Sequence, residues 1–362
     1  MLGTTVAAAL YKPEIIEALG AAATGEKHVV WLQGAGCTGC TMSLLQTDDP
    51  DLAEAIEWFR LSIDFHPTIM VPAGNNALES LKGIKEGSVP LDVLIVEGAI
   101  PKGGYCLVGE EEGKPINFEE WVKSLGSRAT YIIAVGTCAA FGGIPSARPN
   151  PTGCRSVKDV LPEKTVVNIP GCPPHPDWML LTLGVVLLGH ENWIELDELG
   201  RPKVFYYDYI HNNCQRRQFF ENLTFAEKPS EDGCLYFLGC RGPITKSDCP
   251  NRLWNKGTSY CIISNAPCIG CTEKGFPDEP FAPFYEKIEN PDCPPPVKPP
   301  ATVDYDALRK ESSQSSSNLL SGGLLRDATL AIAVAGIGAT AGFLLGRRRK
   351  GPSKGEEAKS ER

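Results

Sequence analysis

Four short apolar runs constrain the fold of this 362-residue chain more than any other feature of its sequence. Each is followed by Gly, Pro or Cys, and the runs are His28–Leu32, Val93–Val96, Tyr131–Val135 and Val166–Ile169. Continuous apolar strands that alternate with helix-like stretches are typical of a parallel sheet with crossover helices. Such sheets bind ligands beyond the carboxyl ends of their strands. The sequence therefore predicts an α/β domain over residues 27–190, with its functional site in the loops after the strands.

Cysteines occupy three of these loops. Cys37 and Cys40 follow the first run, Cys138 follows the third and Cys172 follows the fourth. Because carboxyl ends of parallel strands share one edge, we expect four thiolates to meet there, as an iron–sulfur cluster or a Zn²⁺ site requires. Disulfides are the alternative. The loop Gly34–Gly39 also matches the dinucleotide pattern G-x-G-x-x-G, but the two thiols of a C-x-x-C would crowd a pyrophosphate.

Residues 191–290 carry two further groups of candidate ligands. The chain has 14 Cys and 5 His. This number of cysteines is too high for an ordinary cytosolic enzyme, and their density along the chain is too low for a small disulfide scaffold. One group is His211, Cys214, Cys234 and Cys240, and the other is Cys249, Cys261, Cys268 and Cys271. With the first four cysteines, eleven Cys and one His make three sites of four, and the cysteines left over are Cys106, Cys154 and Cys293. Three clusters would form an electron wire, although a zinc ribbon is an alternative for this region.

The N-terminal residues 1–26 differ from the middle of the chain. An apolar run leads to Ala21–Ala23, an A-x-A-like cleavage site, which predicts the remnant of an export signal. A short amphipathic helix over Pro13–Leu19 is the alternative.

The C-terminal part predicts a membrane anchor. Residues 291–327 have the Pro- and Ser-rich composition of a linker. Residues 328–346 are uncharged and long enough to span a bilayer as a helix. The basic tail, residues 347–362, places the C-terminus in the cytoplasm and the rest on the outer, extracytoplasmic face.

The formal charge of −9 argues against sequence-independent nucleic-acid binding.

Motifs for acid–base, nucleophilic or phosphate chemistry are absent from the sequence. We therefore expect no catalytic residue in this chain and place the substrate chemistry on another polypeptide. His28, His66 and His190 are expected to be structural, and His175 is expected to belong to an interface.

With these residues, the chain resembles the small subunits of membrane-bound nickel–iron hydrogenases. The resemblance covers residues 27–290 and rests on a combination of motifs, namely Gly36–Cys40, Glu97–Pro101, Gly136–Cys138, Ala147–Thr152, Pro170–Pro174 and Pro267–Cys271. It implies a flavodoxin-like N-terminal domain that holds a proximal [4Fe–4S] cluster through Cys37, Cys40, Cys138 and Cys172. It also implies an irregular iron–sulfur domain with a medial cluster and a distal [4Fe–4S] cluster, the distal ligands being His211, Cys214, Cys234 and Cys240.

Three departures from the family pattern refine these expectations. Many members have a [3Fe–4S] medial cluster and a proline where this chain has Cys261, so we predict a medial [4Fe–4S] cluster on Cys249, Cys261, Cys268 and Cys271. Oxygen-tolerant members carry two extra cysteines at positions that are Gly39 and Gly143 here, which predicts a standard proximal cluster. Many members have Ser-Glu after the first C-x-x-C, whereas this chain has Thr41 and Met42.

The resemblance also implies a function and partners. Electrons from H₂, split at a nickel–iron centre on a large subunit, would pass through the three clusters to a membrane acceptor, with a cytochrome b-like protein as the expected partner. Family members are exported with a twin-arginine signal, which would lie upstream of Met1 if Met1 is a misplaced start and would be missing from a processed form. The alternatives are an iron–sulfur subunit of a Complex I-type quinone reductase and an exported binding protein stapled by zinc or disulfides.

Overall fold

The computed structural model describes residues 25–285, except 49, 188, 190–193, 279, 282 and 283. The predicted export-signal remnant, linker, membrane span and basic tail lie outside the described residues, as do His190 and Cys293. Within the described part, no helix is long and apolar enough to cross a membrane. The described residues all belong to one compact unit, residues 1–302. The predicted boundary near residue 190 stays a prediction.

A five-stranded parallel sheet forms the centre of the fold. Its strands are β1 (Lys27–Gln33), β2 (Leu61–Phe65), β3 (Val93–Glu97), β6 (Tyr131–Val135) and β7 (Val167–Ile169). A separate antiparallel hairpin consists of β4 (Leu107–Glu111) and β5 (Lys114–Asn117). The strand order in the sheet is β2-β1-β3-β6-β7, and all neighbouring strands are parallel. With the hairpin left out, this is the order of flavodoxin-like sheets, so the predicted α/β class is confirmed.

The four predicted apolar runs are all strands, but the sequence does not predict β2. Ser62 and Asp64 interrupt its apolar residues, and the strand lies at an edge of the sheet, where four of its five residues are only partly buried. A continuous apolar run is needed only where both faces of a strand are covered.

Helices cover both faces of the sheet. The described α-helices are α1 (Gly39–Leu44), α2 (Leu52–Trp58), α3 (Asn75–Glu86), α4 (Phe118–Arg128), α5 (Gly136–Phe141), α6 (Val157–Val160), α7 (Pro176–Leu187), α8 (Arg217–Glu221) and α9 (Cys249–Arg252). Residues of β1 alternate between two apolar clusters: Val30 and Leu32 face one, and Val29 and Trp31 face the other. These two clusters fix the sheet and therefore the loops at its carboxyl edge.

Residues 194–285 form a second segment, which is built differently from the sheet. Their described helices, including three 3₁₀ turns, are five residues long or shorter, and the described strand-like contacts are isolated bridges. The apolar cluster of this segment is small and includes the candidate ligands Cys240 and Cys268 themselves. This part of the chain therefore has little apolar core of its own.

Buried polar contacts join this segment to the first part of the chain. Trp178 on α7 donates its indole N–H to Asp248 at 2.8 Å, and Arg252 pairs with both Asp248 and Asp177. His175, which we expect at an interface, is buried inside the chain, where its Nε2 lies 2.8 Å from the carbonyl of Leu253. The contact that His175 makes is internal to the chain.

Candidate metal centres

The proximal set, Cys37, Cys40, Cys138 and Cys172, lies at the carboxyl ends of β1, β6 and β7. Cys40 is on α1, Cys138 is on α5, and Cys172 follows β7. The loops are in close contact: a Cβ on Gly136, whose φ is +86°, would lie 2.4 Å from the Sγ of Cys40. Only glycine allows the loop after β6 to pass this close to the sulfur.

The four thiols of the proximal set influence one another. Burial raises the pKa of Cys40 well above its usual value, and four neighbouring groups raise it further, namely Glu97, Cys138, Cys172 and Cys37. Burial is also the main cause that raises the pKa of Cys138 to about 12. Buried thiols that oppose each other's ionisation become thiolates only beside compensating positive charge, and bound iron supplies such charge. The donor set therefore fits an iron–sulfur cluster.

Glu97 is a buried carboxylate beside the proximal set, and the sequence places it in the motif Glu97–Pro101 without giving it a role. It is 3% exposed, at the end of β3. Its oxygens accept hydrogen bonds from five donors, which are the Trp31 indole (2.9 Å), the Gln33 amide (3.0 Å), the backbone N–H groups of Cys40 (3.0 Å) and Thr41 (3.2 Å), and the Thr41 hydroxyl (2.5 Å). An acidic residue that directly follows the apolar run Val93–Val96 is the signal that could have identified it.

The two residues after Cys40 differ from the Ser-Glu of many family members, because this chain has Thr41 in place of serine and Met42 in place of glutamate. Thr41 donates to Glu97 and accepts from Gln33 at 2.7 Å, a role that a serine hydroxyl could also perform. Met42 is 52% exposed. The carboxylate that many family members carry at this position is therefore replaced here by an apolar group at the surface.

The distal set, His211, Cys214, Cys234 and Cys240, lies in and beside two 3₁₀ turns of the second segment. His211 is in the first turn and Cys214 follows it, whereas Cys234 and Cys240 flank the second turn. Burial raises the pKa of Cys240 to about 12, with Cys214 and Cys234 as neighbouring thiols that raise it further. Burial lowers the pKa of His211, and the charge of Arg217 adds to this effect. A lowered pKa keeps the imidazole neutral, which is the form that binds a metal.

The medial set, Cys249, Cys261, Cys268 and Cys271, differs in exposure from one member to the next, since Cys268 is buried, Cys249 and Cys271 are half-buried and Cys261 is exposed. Burial raises the pKa of Cys249 to about 12 and raises those of Cys268 and Cys271 strongly. Cys261 is among the charges that raise all three. The structure therefore brings Cys261 together with the other three cysteines of its set.

Hydrogen bonds join the medial set to the loops of the other two sets. The hydroxyl of Thr137, which precedes Cys138 of the proximal set, donates to the carbonyl oxygen of Cys271. The backbone N–H of Arg241, which follows Cys240 of the distal set, donates to the carbonyl oxygen of Cys268 at 2.7 Å. The medial set thus lies between the other two.

The other cysteines and the glycine-rich loop have structural explanations. Cys154 is buried and Cys106 is half-buried beside it. None of the thirteen described cysteines forms a disulfide. No three His, Cys, Asp or Glu side chains in the described ranges are arranged to hold a single metal ion.

Gly34 is required because a Cβ there would lie 2.5 Å from the carbonyl oxygen of Ala99, so packing accounts for this glycine of G-x-G-x-x-G.

Comparisons with known proteins identify the family. The family model of the NADH ubiquinone oxidoreductase 20 Kd subunit matches residues 37–186, and that of the C-terminal part of the NiFe/NiFeSe hydrogenase small subunit matches residues 206–285. The periplasmic [NiFeSe] hydrogenase small subunit of Desulfomicrobium baculatum is 43% identical over 293 residues, which cover 76% of this chain and 92% of that protein. The periplasmic [NiFe] hydrogenase small subunit of Solidesulfovibrio fructosivorans is 39% identical over 296 residues, which cover 78% of this chain and 90% of that one.

Solved structures agree with this result. A reduced, active form of the Desulfomicrobium baculatum Ni-Fe-Se hydrogenase has a TM-score of 0.68 and 42% identity, covering 73% of this chain and all of that chain. The actinobacterial-type NiFe-hydrogenase of Ralstonia eutropha H16 also has a TM-score of 0.68, with 28% identity, covering 82% of this chain and 92% of that chain. The chain belongs to the family of NiFe and NiFeSe hydrogenase small subunits.

Proposed function

We propose that the proximal, medial and distal sets hold three [4Fe–4S] clusters that relay electrons between the hydrogenase large subunit and an acceptor. The chain is a hydrogenase small subunit, so the active site that splits H₂ lies on the large subunit. Clusters of this kind take up and release single electrons. The side chains of this protein hold them, exclude water from most of their sulfurs and set the charge around them.

The hydrogen bonds between the loops of the ligand sets carry this proposal. They make the medial set a neighbour of both the proximal and the distal set. A structural metal site has no need of a second and third site in contact with it, whereas a relay does. The imidazole of His211 makes the distal centre less negative than an all-cysteine one and raises its potential.

The large subunit is proposed to cover the proximal end of the relay. Cys37 is exposed, and two exposed apolar side chains lie near the proximal set, Met42 at 52% and Ile144 at 54%. Exposed apolar groups around a ligand set are typical of a surface that a partner buries.

We further propose a membrane acceptor and an outward location. The predicted span, residues 328–346, and the basic tail would anchor the chain with its clusters outside the cytoplasm. A cytochrome b-like protein would then accept electrons from the distal centre, and oxidation of H₂ would be the working direction. An export signal with twin arginines would precede the folded part.

The Complex I-type alternative explains only the first part of the chain. The 20 Kd subunit model matches residues 37–186 alone, whereas residues 206–285 match the C-terminal region of hydrogenase small subunits. The second match contains the distal and medial sets, which favours the hydrogenase relay over a quinone-reductase subunit with one cluster.

Iron analysis and H₂ oxidation test the proposal together. Purified anaerobically with its large subunit, the chain should contain about twelve Fe and about twelve acid-labile sulfides. The complex should reduce a dye with H₂ as the electron donor. A complex without acid-labile sulfide, or one that leaves the dye oxidised, would show the proposal to be wrong.

Replacing Glu97 with glutamine should make the proximal centre easier to reduce. The substitution removes one buried negative charge, and a unit charge across roughly 8 Å at an effective dielectric constant of about 20 is worth about 2 kcal/mol. For a one-electron couple this raises the potential by on the order of 100 mV. The measurement is a redox titration monitored by EPR.

The matched control for Glu97→Gln is Glu119→Gln. Glu119 is a carboxylate on α4 that pairs with Arg155 and Lys123 instead of facing a thiol. Its loss should leave the proximal potential unchanged. Equal potentials in both variants would mean that the charge of Glu97 does not act on the proximal centre.

Gly143→Ala should damage the proximal set, whereas Gly39→Ala should be tolerated. Gly143 has φ +50°, and a Cβ there would lie 2.9 Å from the Cα and backbone N of Cys138. Gly39 does not have the positive φ that disfavours a side chain, and a Cβ there would meet one nearby atom, the Sγ of Cys37 at 3.0 Å, and no backbone atom. Strain of about 1–3 kcal/mol for the backbone conformation alone is expected at Gly143.

Iron content and thermal stability of the two glycine variants provide the measurement. Gly143→Ala should lose roughly four irons per chain and melt earlier, and Gly39→Ala should keep about twelve. Loss of iron from Gly39→Ala but not from Gly143→Ala would be incompatible with the close contact between Gly143 and Cys138. A variant with cysteines in place of both Gly39 and Gly143 should therefore contain iron at the proximal set only if the loop at Gly143 shifts.

A further inference from the structure

Thr137 connects three loops that carry candidate ligands. It directly precedes Cys138 and is 1% exposed. Its hydroxyl accepts the backbone N–H of Gly171 at 2.9 Å and donates to the carbonyl oxygen of Cys271. Its own backbone N–H donates to the carbonyl of Gly171 at 3.0 Å. One side chain therefore joins two loops of the proximal set to the C-x-x-C loop of the medial set.

The hydroxyl is suited to this position because it combines a donor with acceptor lone pairs. Its single proton is used for Cys271 and one lone pair for Gly171. Neither valine, which has the same shape, nor alanine could make either bond. Serine could make both.

Thr137 lies where the loops of the proximal and medial sets meet. Gly171 directly precedes the proximal ligand Cys172, and Cys271 belongs to the medial set. Thr137 therefore fixes the Cys172 loop through the N–H of Gly171 and fixes Cys271 through its carbonyl oxygen. Tyr206 fixes the same loop from the other side, because its hydroxyl donates to the carbonyl of Pro170 at 2.7 Å.

We propose that Thr137 is a positioning residue whose hydroxyl holds the Cys172 loop against the carbonyl of Cys271, and that it thereby sets the potential of the medial centre relative to the proximal one. This inference rests on the function proposed above. One-electron reduction adds a negative charge to a centre and makes no bond at Thr137. An O–H that donates to the carbonyl of a ligand residue offsets the negative end of that dipole beside the centre, which stabilises the added charge and raises the potential.

The experiment compares Thr137→Val, Thr137→Ala and Thr137→Ser in the complex with the large subunit. In the first two variants we expect the equilibrium constant for reducing the medial centre to fall about tenfold, which is about 59 mV for one electron. Thr137→Ser should behave as the wild type. EPR-monitored redox titration gives the potentials of all three centres, and iron is measured in each preparation.

A matched control variant is Thr182→Val. Thr182 is a buried threonine on α7 whose hydroxyl has no hydrogen-bond partner within the described part of the chain. Its substitution should change none of the potentials. The distal centre is the internal control, because its link to the medial set is the hydrogen bond from the N–H of Arg241 to the carbonyl of Cys268.

The outcomes separate the inference from the function on which it rests. A wild type without iron would refute the proposed function. Fully loaded Thr137→Val with an unchanged medial potential would refute the role of Thr137 alone. A Thr137→Ser variant whose medial potential shifts as far as that of Thr137→Val would also refute this role. A shift of the distal potential as large as that of the medial potential would refute it too. Selective loss of the medial centre in both Thr137→Val and Thr137→Ala, with Thr137→Ser loaded, would support the inference.

Discussion

Replacing Cys261 with proline should convert the medial centre from four irons to three. Cys261 is the proposed ligand that distinguishes this chain from family members with a proline at the same position. Without its thiolate, one iron of the proposed cluster loses its protein ligand, so about eleven irons per chain should remain instead of about twelve. An EPR signal of an oxidised three-iron cluster should then appear, and the wild type should lack it.

The potential of the medial centre should rise in the same variant. The substitution removes one thiolate and one iron together, so their opposite charges offset each other and the change of cluster type determines the shift. We expect a rise on the order of 100 mV. The medial centre should then hold the electron more strongly than its neighbours, which would slow the oxidation of H₂.

The local backbone should accept this change. The carbonyl of Cys261 accepts the N–H of Ala266 at 2.8 Å, and a proline would retain that acceptor. Cys106→Ser is the matched control, because Cys106 is a half-buried cysteine outside the three ligand sets. It should keep about twelve irons and show no three-iron signal. A three-iron signal in the wild type, or none in Cys261→Pro, would refute the proposed medial ligand set.

The sheet and the grouping of the cysteines could be predicted from the sequence because both follow from local patterns. Strands covered on both faces are continuous apolar runs, and their loops must meet at one edge. The edge strand β2 and the hairpin β4–β5 have no such pattern, since solvent covers part of their surface. Their formation depends on contacts with residues distant in the sequence.

The polar groups around the ligand sets could not be predicted in the same way. Glu97 has five hydrogen-bond donors, and these come from β1 and α1, more than fifty residues earlier in the chain. Thr137 contacts Cys271, 134 residues later. A motif identifies the ligand itself because its chemistry is visible in the residue type. The role of a carboxylate or hydroxyl beside it depends on which loops the fold brings together.

Removing the iron should unfold the second segment and leave the sheet folded. The sheet is held by two large apolar clusters, one on each face. The second segment has short helices and a small cluster in which Cys240 and Cys268 are members. Where ligands replace an apolar core, the free energy of metal binding is also the free energy of folding.

Hydrogen exchange measured by mass spectrometry before and after anaerobic chelation would locate this boundary. Amides in Val93–Glu97 and Tyr131–Val135 should keep their protection. Those in residues 208–281 should exchange roughly a hundredfold faster or more. Phe205 and Tyr206 should stay protected, because they pack with Trp178 in the apolar cluster of the sheet.

Reconstitution with iron and sulfide is the control, and it should restore protection in the second segment. Protection that persists across residues 208–281 without iron would mean that the polar contacts of Asp248 and Arg252 hold this segment without the clusters. Protection lost equally from the sheet would mean that the chain folds as one cooperative unit. The expected division instead makes the clusters the core of the second segment, so the same cysteines that conduct electrons also fold the part of the chain that holds them.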